Sequence, residues 1–522
     1  MISIPQRLLG EALLKTAERF PDKTAVISKG KEYSYTQLKD AAEKTASYLI
    51  DAGIGKGDRV AVYMNNSWQS AVALYGITLS GAVFLMVNPQ TKADKLQFIL
   101  KDSGCRMLIT EGRLRNEFSR AVEGTEVFNI LLSGPVPDIE IPGISLNSFD
   151  EVLEKQKKTD HTVSVIPNDL ASLIYTSGST GFPKGVMMTH ESMVFASWSL
   201  IEYLRLDEDD RIILVIPLAF DYGLYQLLMS VTIGGTLIIE QSFAFPSSVY
   251  KDIEKYKPTV FPAVPTIFAM MIAMNKKSGL NFPCIKKITN TAAALPAKTI
   301  PDLKKVFPGA LIFKMYGLTE CKRVCYLEPE LIDEKPSSVG KAIPGTEVFL
   351  LSVDDKPVPA GEPGILHVRG PHVMLGYWNN EKLSNEMLRP GKLPYERVLC
   401  TNDWFRMDED GFLYFLSRND DIIKTRGEKV SPVEVENVIY KKEGVKEVAV
   451  VGIPDEIMGE SIVAFVTTFD GKVQEKDIQR ICMENLEIFM VPSKVIFLDS
   501  MPKSPNGKID KKVLTKMALE NE

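Results

Sequence analysis

Short apolar runs alternate with helical segments in the first part of this chain, and that alternation narrows the folds open to it. The runs at residues 60–64, 82–87 and 107–110 have the composition of buried strands, and residues 68–79 have helical spacing. Strands that alternate with helices predict a parallel α/β sheet. A second run of the same kind covers residues 170–320.

The pattern changes after this second run. Residues 339–418 combine glycine and proline with short apolar stretches, which favours a β-rich segment, and residues 420–522 indicate a compact α+β domain. A chain of 522 residues is too long for one hydrophobic core. We therefore predict an N-terminal domain of parallel α/β subdomains plus a β-rich subdomain at 1–419, and a small, mobile α+β domain at 420–522. The stretch at 133–168 is predicted to be loop.

Composition argues against several classes of protein. The net charge of -6 disfavours a general nucleic-acid binder, which would have a basic excess. The cysteines and histidines show no zinc-ligand spacing, so no structural metal is expected. The sequence has neither a signal-peptide pattern nor the roughly 18 to 20 continuous apolar residues that a membrane span needs. These features predict a cytoplasmic protein with reduced thiols.

The stretch from Tyr175 to Gly185 predicts a phosphate site. It follows an apolar run and combines three glycines, four hydroxyl side chains and Lys184. Glycines let the backbone approach a ligand closely, hydroxyls and N–H groups donate to anionic oxygens, and the lysine adds positive charge. It is not a Walker loop, which ends in Gly-Lys followed by Ser or Thr. The alternative, a solvated glycine–serine turn, is disfavoured by the preceding strand and the Pro183-Lys184-Gly185 ending.

Three further side chains have chemistry that complements a phosphate site. Glu320 follows an apolar strand at 311–316, and a carboxylate beside phosphates suits Mg²⁺. Asp403 is an acceptor-only carboxylate that can take both hydroxyls of a ribose. Lys508 is on a loop with glycine and proline, from which it could neutralise charge in a transition state. Without the other motifs, each of the three could equally be a surface residue in a turn.

Six motifs occur in an order that resembles the adenylate-forming superfamily, which comprises acyl-CoA synthetases, adenylation domains and luciferases. They are residues 175–185, 316–320, 361–377, 401–403, 418–429 and 505–508. The pattern is most similar to stand-alone enzymes that adenylate an amino acid or another acid. The resemblance covers the whole chain and implies two half-reactions. A carboxylate first attacks the α-phosphate of MgATP to give an acyl-adenylate and pyrophosphate, and a thiol then displaces AMP.

The resemblance also implies roles for individual residues. The catalytic residues would be Lys508, Thr319, Glu320 and Lys184, with Glu320 also the Mg²⁺ ligand. The residues expected to bind ATP are Thr176, Ser177, Gly178, Ser179, Thr180, Gly181, Tyr316, Asp403 and Arg418.

Other implied roles concern the second half-reaction. Asp420 would be the hinge about which the C-terminal domain rotates, and Gly427 would leave room for a pantetheine arm. Two positions depart from the family pattern, since Asn402 and Ser417 stand where glycine is usual. These departures put the local turns in question.

The acid substrate is expected near Phe220-Asp221. This pair resembles the amino-acid-activating members, in which the Asp pairs with the substrate ammonium. The alternative is an Asp that is solvated or paired with hydroxyls at a strand end. The Lys322-Arg323 pair could bind a second carboxylate, or face solvent or phosphate. The residues expected to line the acid pocket are Asp221, Tyr222, Tyr225, Thr291, Met315 and Arg323.

We therefore predict an ATP- and Mg²⁺-dependent ligase that adenylates a small, amine-bearing acid. Its acceptor would be a phosphopantetheine thiol, on a carrier protein that is a separate chain. One alternative is a fatty or aryl acyl-CoA synthetase that uses free CoA. Another, of a different class, is a nucleotide-binding regulator without turnover. The feature that argues against the regulator is the joint presence of Lys184, Glu320, Asp403, Arg418 and Lys508.

Overall fold

The computed structural model describes most of the chain. The described residues are 5–159, 163–176, 183–291, 295–418, 421, 423–425, 428–455, 459–469, 471–486, 488–504 and 507–520. Within these residues, none of the helices combines the length and apolar character needed to cross a membrane.

The helices of the described residues are spread along the whole chain. In chain order they are α1 (Leu9–Arg19), α2 (Tyr35–Asp51), α3 (Trp68–Leu79), α4 (Ala93–Ser103), α5 (Arg115–Ala121), α6 (Phe149–Lys155), α7 (His190–Tyr203), α8 (Asp221–Ile233), α9 (Pro246–Tyr256), α10 (Pro265–Ser278), α11 (Ile300–Val306), α12 (Glu381–Met387), α13 (Pro432–Ile439), α14 (Glu475–Asn485) and α15 (Lys511–Glu520).

The strands fall between these helices in the first 316 residues and then follow one another more directly. They are β1 (Thr24–Ser28), β2 (Lys31–Ser34), β3 (Arg59–Tyr63), β4 (Val83–Val87), β5 (Cys105–Glu111), β6 (Asn129–Ser133), β7 (Ser145–Ser148), β8 (Leu170–Thr176), β9 (Lys184–Thr189), β10 (Arg211–Leu214), β11 (Thr236–Ile239), β12 (Val260–Ala263), β13 (Lys287–Asn290), β14 (Leu311–Tyr316), β15 (Cys325–Leu327), β16 (Lys341–Ala342), β17 (Glu347–Leu351), β18 (Pro363–Arg369), β19 (Gly376–Tyr377), β20 (Leu388–Pro390), β21 (Arg397–Met407), β22 (Leu413–Arg418), β23 (Ile423–Thr425), β24 (Glu428–Val430), β25 (Val445–Asp455), β26 (Gly459–Thr468) and β27 (Lys494–Phe497).

Two large, mostly parallel sheets form the first part of the molecule. One has the strand order β19-β9-β8-β4-β3-β5-β6-β7, and the other has the order β16-β15-β14-β13-β12-β10-β11-β1-β2. Strands β3 to β7 pair in parallel in the first sheet, as do β1, β10, β11, β12, β13 and β14 in the second. The predicted parallel α/β architecture is therefore confirmed for this part of the chain.

Helix α3 packs where the two large sheets meet. It is apolar around its circumference, and it contacts β3 and β4 of one sheet and β1 of the other. A helix that is apolar on every face is stable only when it is buried on every face. Its N-cap Ser67 forms a capping box with Ser70, which satisfies main-chain donors that would otherwise be orphaned inside the core.

The remaining strands form two smaller sheets. Strands β17, β18, β20, β21 and β22 make an antiparallel sheet, which confirms the predicted β-rich segment. Strands β23 to β27 make the last sheet, and together with α13, α14 and α15 they enclose their own core. This is a separate C-terminal α+β domain. The predicted boundary at 419 and 420 lies outside the described residues and stays a prediction.

Some local elements differ from the sequence expectation. The stretch at 133–168, predicted as loop, contains β7 and the capped helix α6. Both are short, and β7 (Ser-Leu-Asn-Ser) is too polar to stand out as a buried strand.

The C-terminal domain contacts the rest of the molecule through lysine side chains. Lys298 Nζ donates to the Val445 carbonyl at 3.1 Å and lies 4.4 Å from the centre of the Tyr440 ring. Burial, and then the nearby Lys276, lower the pKa of Lys298 to about 8. These contacts hold the C-terminal domain against residues that precede the active-site strand β14.

Candidate active site

The predicted phosphate loop connects two antiparallel strands. Thr176 at the end of β8 pairs with Lys184 at the start of β9, a strand that the sequence did not predict. The loop residues Ser177, Gly178, Ser179, Thr180 and Gly181 lie outside the described residues. The Thr176 hydroxyl is buried and has no hydrogen-bond partner among the described residues, so it is available to a ligand.

Tyr175 supports the base of this hairpin. Its hydroxyl donates to Asp102 at 2.6 Å, and its ring lies under Gly185, where an added Cβ would be only 3.0 Å from the ring. A side chain at 185 would therefore require the tyrosine ring to shift by a few tenths of an ångström. This packing sets the direction in which Lys184 leaves the strand.

Lys184, Glu320 and Tyr377 form one polar cluster. Lys184 Nζ lies 3.2 Å from Glu320 Oε1 and donates to the Tyr377 hydroxyl at 2.8 Å. The Tyr377 hydroxyl donates in turn to Glu320 Oε1 at 2.5 Å. Tyr377 belongs to the quoted motif at 361–377, but the sequence assigned it no role. It fixes the orientation of both charged groups.

A second cluster surrounds Asp403. Tyr316, at the end of β14, donates its hydroxyl to Asp403 Oδ2, and Arg418 stands opposite Asp403 in the β21–β22 pairing. Burial raises the pKa of Asp403 to about 6, although Arg418 acts against this shift. A buried carboxylate with one oxygen committed to a tyrosine keeps acceptor capacity for a diol.

Asn402 occupies the position at which the family pattern usually has glycine. Its φ is +56°, in the left-handed region that a glycine would adopt without strain. Asparagine is among the few other residues that enter this region readily. The turn before Asp403 is thus preserved with a different residue.

The pKa of Asp403 predicts how ATP use depends on pH. Protonation below pH 6 removes acceptor capacity, so KM for ATP should rise by about tenfold for each pH unit below 6. Asp403→Asn should have a higher KM that lacks this dependence. Initial rates measured between pH 5 and 8 give KM for ATP in both proteins. A pH trend that both proteins share is attributed to titration of the nucleotide itself. If KM for ATP depends on pH no more strongly in the parent protein than in Asp403→Asn, the role of Asp403 in binding ATP is contradicted.

Lys508 reaches this second cluster from the C-terminal domain. Burial, and then Arg418, lower the pKa of Lys508 to about 8, while Asp403 acts in the opposite direction. Its carbonyl accepts from the Ser504 amide at 2.8 Å, and Gly507 has a φ of +74°. A glycine in the left-handed region therefore directly precedes the lysine. Residues 505 and 506 of the motif lie outside the described residues.

Asp221 has a partner that the sequence did not predict. Lys322 Nζ lies 3.1 Å from Asp221 Oδ1 and also donates to the Thr319 carbonyl at 3.1 Å. The Lys322 side chain is 0% exposed and the Asp221 side chain 11% exposed. The carboxylate that was predicted to bind a substrate ammonium already faces an ammonium of the protein. Its role toward a substrate stays a prediction.

The other predicted pocket residues are buried around this ion pair. The Tyr222 hydroxyl donates to the Thr289 carbonyl at 2.5 Å, and Met315 Sδ accepts from Tyr203 at 2.8 Å. The hydroxyls of Tyr225 and Thr291 are buried without a partner among the described residues. The structure therefore brings these side chains to one region, at the start of α8 and the ends of β13 and β14. Asp420 and Gly427 lie outside the described residues.

Cys321 stands between the two clusters without a nucleophile's properties. It is 0% exposed, and burial raises the pKa of its thiol above the ordinary range. A nucleophilic cysteine needs the opposite shift and access to its ligand. The Cys321 side chain is therefore a packed thiol.

Comparisons with known proteins match nearly the whole chain. Residues 13–378 match the family described as AMP-binding enzyme, and residues 434–508 match the AMP-binding enzyme C-terminal domain. A long-chain-fatty-acid–CoA ligase of Bacillus subtilis (strain 168) is 30% identical over 100% of this chain and 96% of its own length.

Solved structures of similar proteins agree with this match. An anthranilate CoA ligase in complex with anthranoyl-AMP is 27% identical, with a TM-score of 0.89 and 99% of each chain covered. The o-succinylbenzoate CoA synthetase of Bacillus subtilis, in complex with its acyl-adenylate intermediate, is 26% identical, with a TM-score of 0.83 and coverage of 96% of this chain and 97% of the other.

Proposed function

The chain belongs to the AMP-binding enzyme family, and from this membership we propose that it is an acyl-CoA ligase that adenylates a carboxylic acid with ATP and passes the acyl group to free coenzyme A. It is thus an AMP-forming acid–thiol ligase. The main support for the proposal is the arrangement of charges in two adjoining clusters. Lys184 pairs with Glu320 in one, and Lys508 interacts with Asp403 in the other. A regulator without turnover would have no need for both.

The acceptor differs from the one that the sequence favoured. The sequence pattern favoured a thiol on a separate carrier protein, with free CoA as the alternative. The relatives that match along their full length are described as CoA ligases, so the alternative is the better supported one. The ion pair of Asp221 with Lys322 also counts against an amine-bearing acid, because it leaves no unmatched negative charge on Asp221.

In the first step an oxygen of the substrate carboxylate attacks the α-phosphorus of ATP. A phosphorus–oxygen bond forms, the bond to pyrophosphate breaks, and negative charge accumulates between the two reactants. Lys508 would stabilise that charge, Lys184 would neutralise the leaving phosphates, and Asp403 would hold the ribose. In the second step the CoA sulfur attacks the acyl carbon, and the bond from that carbon to AMP breaks.

Glu320 fits the predicted Mg²⁺ ligand. No group of three or more His, Cys, Asp or Glu side chains that could hold a metal occurs among the described residues. Mg²⁺ does not need one, since it commonly takes one or two carboxylates together with phosphate oxygens and water. Glu320, held by Tyr377 and Lys184, would supply this carboxylate, and the ion would neutralise charge on the phosphates.

The decisive experiment separates the two half-reactions. ATP–pyrophosphate exchange is measured over a panel of aliphatic, aryl, dicarboxylic and amino acids, and thioester formation is then followed by mass spectrometry with CoA. We expect exchange with at least one acid and a CoA thioester of the same acid. Lys508→Ala serves as the inactive control for exchange. An adenylate that only a phosphopantetheinylated carrier protein can discharge would overturn the choice of acceptor.

A further inference from the structure

The region predicted to hold the acid contains more positive than negative charge. Three charged residues lie together there, and all three are mostly or fully buried: Asp221, Lys322 and Arg323. Asp221 and Lys322 neutralise each other at 3.1 Å. This leaves the guanidinium of Arg323, which is 5% exposed, as a positive charge in excess.

Arg323 has no acidic partner among the described residues. Its Nη1 donates to the Lys322 carbonyl at 2.7 Å, and its Nε is buried without any hydrogen-bond partner there. The guanidinium carbon lies 5.0 Å from the centre of the Tyr222 ring, which gives a cation–π contact but no counter-charge. Burying a charge without an anion is costly, so stability alone does not explain this residue.

Other polar groups around Arg323 are also unsatisfied. The hydroxyls of Tyr225 and Thr291 are buried and have no partner among the described residues. Thr291 follows by two residues Thr289, which receives the Tyr222 hydroxyl, so by strand alternation both threonine side chains lie on the face that carries Tyr222. A cluster of buried donors without acceptors is what a bound polar ligand would satisfy.

We propose that Arg323 binds a second carboxylate of the acid, so that the substrate is a short dicarboxylic acid. A planar guanidinium matches a carboxylate through two parallel hydrogen bonds. Thr319, one of the expected catalytic residues, and Arg323 are four residues apart, so their Cα atoms are separated by at most about 14 Å. An acid with one carboxylate near each of these residues is therefore short. The inference rests on the proposed function, because the other carboxylate is the one that ATP activates.

The Arg323 substitution tests the pairing with matched acids. Exchange is measured for succinate against butyrate, glutarate against pentanoate, and adipate against hexanoate. We expect the parent protein to prefer a diacid over its matched monoacid by about 100-fold in kcat/KM. Arg323→Met should remove this preference and leave the monoacid value within about threefold, and Arg323→Lys should keep part of it. Arg115→Met, on the exposed surface, is the matched control and should change nothing.

Stability distinguishes a ligand-binding arginine from a structural one. Without acid, Arg323→Met should unfold at the same or a higher temperature than the parent protein, since it removes an unpaired buried charge. The inference is overturned if the parent protein uses the monoacids as well as the diacids. It is also overturned if Arg323→Met impairs both acids of a pair alike.

Failure of the proposed function gives a different result. Exchange needs no CoA, so a diacid that is adenylated but not transferred to CoA removes the proposed acceptor and leaves the role of Arg323 standing. If no acid supports exchange, the proposed function fails, and thermal unfolding with each acid decides the inference. Stabilisation by a diacid that Arg323→Met abolishes would support it, and no stabilisation by any diacid would overturn it.

Discussion

Replacing Lys508 with alanine is expected to lower the adenylation rate by about 1,000-fold, the largest effect of any substitution considered. Lys508 contributes a partly buried positive charge beside Asp403 and Arg418, where charge would accumulate between the carboxylate and the α-phosphate. ATP–pyrophosphate exchange measures this step alone. Reaction of a supplied acyl-adenylate with CoA should be largely spared, because the bond to pyrophosphate is already broken.

A matched control is available in the same segment. Lys503 pairs with Glu447 in a partly exposed ion pair, so Lys503→Ala should leave exchange nearly unchanged. If Lys508→Ala keeps normal exchange, the catalytic assignment is wrong. Loss of both exchange and adenylate transfer, together with a lower unfolding temperature, would instead indicate damage to the C-terminal domain.

The second large effect is on stability. Asp221→Asn leaves the fully buried ammonium of Lys322 without its partner and should lower the free energy of unfolding by about 3 kcal/mol. Burial lowers the pKa of Lys322 and the Asp221 carboxylate acts against this shift, so removal of Asp221 disfavours the charged form of Lys322. Urea unfolding of Asp221→Asn, Lys322→Met and the double variant gives the coupling between the two residues.

The double variant should recover most of the loss, because it leaves no unpaired buried charge. The surface pair of Lys155 with Glu151 is the control, and Glu151→Gln should cost less than about 1 kcal/mol. The competing expectation from the sequence is different. If Asp221→Asn leaves stability unchanged and selectively weakens amine-bearing acids, Asp221 binds a substrate ammonium after all.

Local elements with a strong apolar pattern could be predicted from the sequence. Helix α3 at Trp68–Leu79 and strand β14 at Leu311–Tyr316 have the predicted bounds, since burial imposes a clear pattern on both. Strand β9 could not be predicted because it begins with Lys184-Gly185, at the end of a polar stretch of sequence. Apolar and polar residues do not alternate there in the way that indicates a strand.

Long-range pairing could not be predicted in the same way. Asp221 and Lys322 are 101 residues apart, and Lys184 and Tyr377 are 193 residues apart. Nothing in either local sequence indicates its partner, because ion pairs depend on how the strands are ordered in space. The family resemblance indicated that Lys184 and Glu320 serve one reaction, but not that Tyr377 would join them.

The lysines at the contact between the domains have a consequence for proton balance. Lys298 and Lys508 both have a pKa lowered to about 8, chiefly by the partial burial of each ammonium group beside residues of the other domain. A lysine in water has a pKa of about 10.4. Any movement that carries the C-terminal domain away from these contacts would return both ammonium groups to water. At a pH between about 8 and about 10.4, separation of the domains is therefore accompanied by proton uptake. A rise in pH in this range favours the arrangement in which the two domains are in contact.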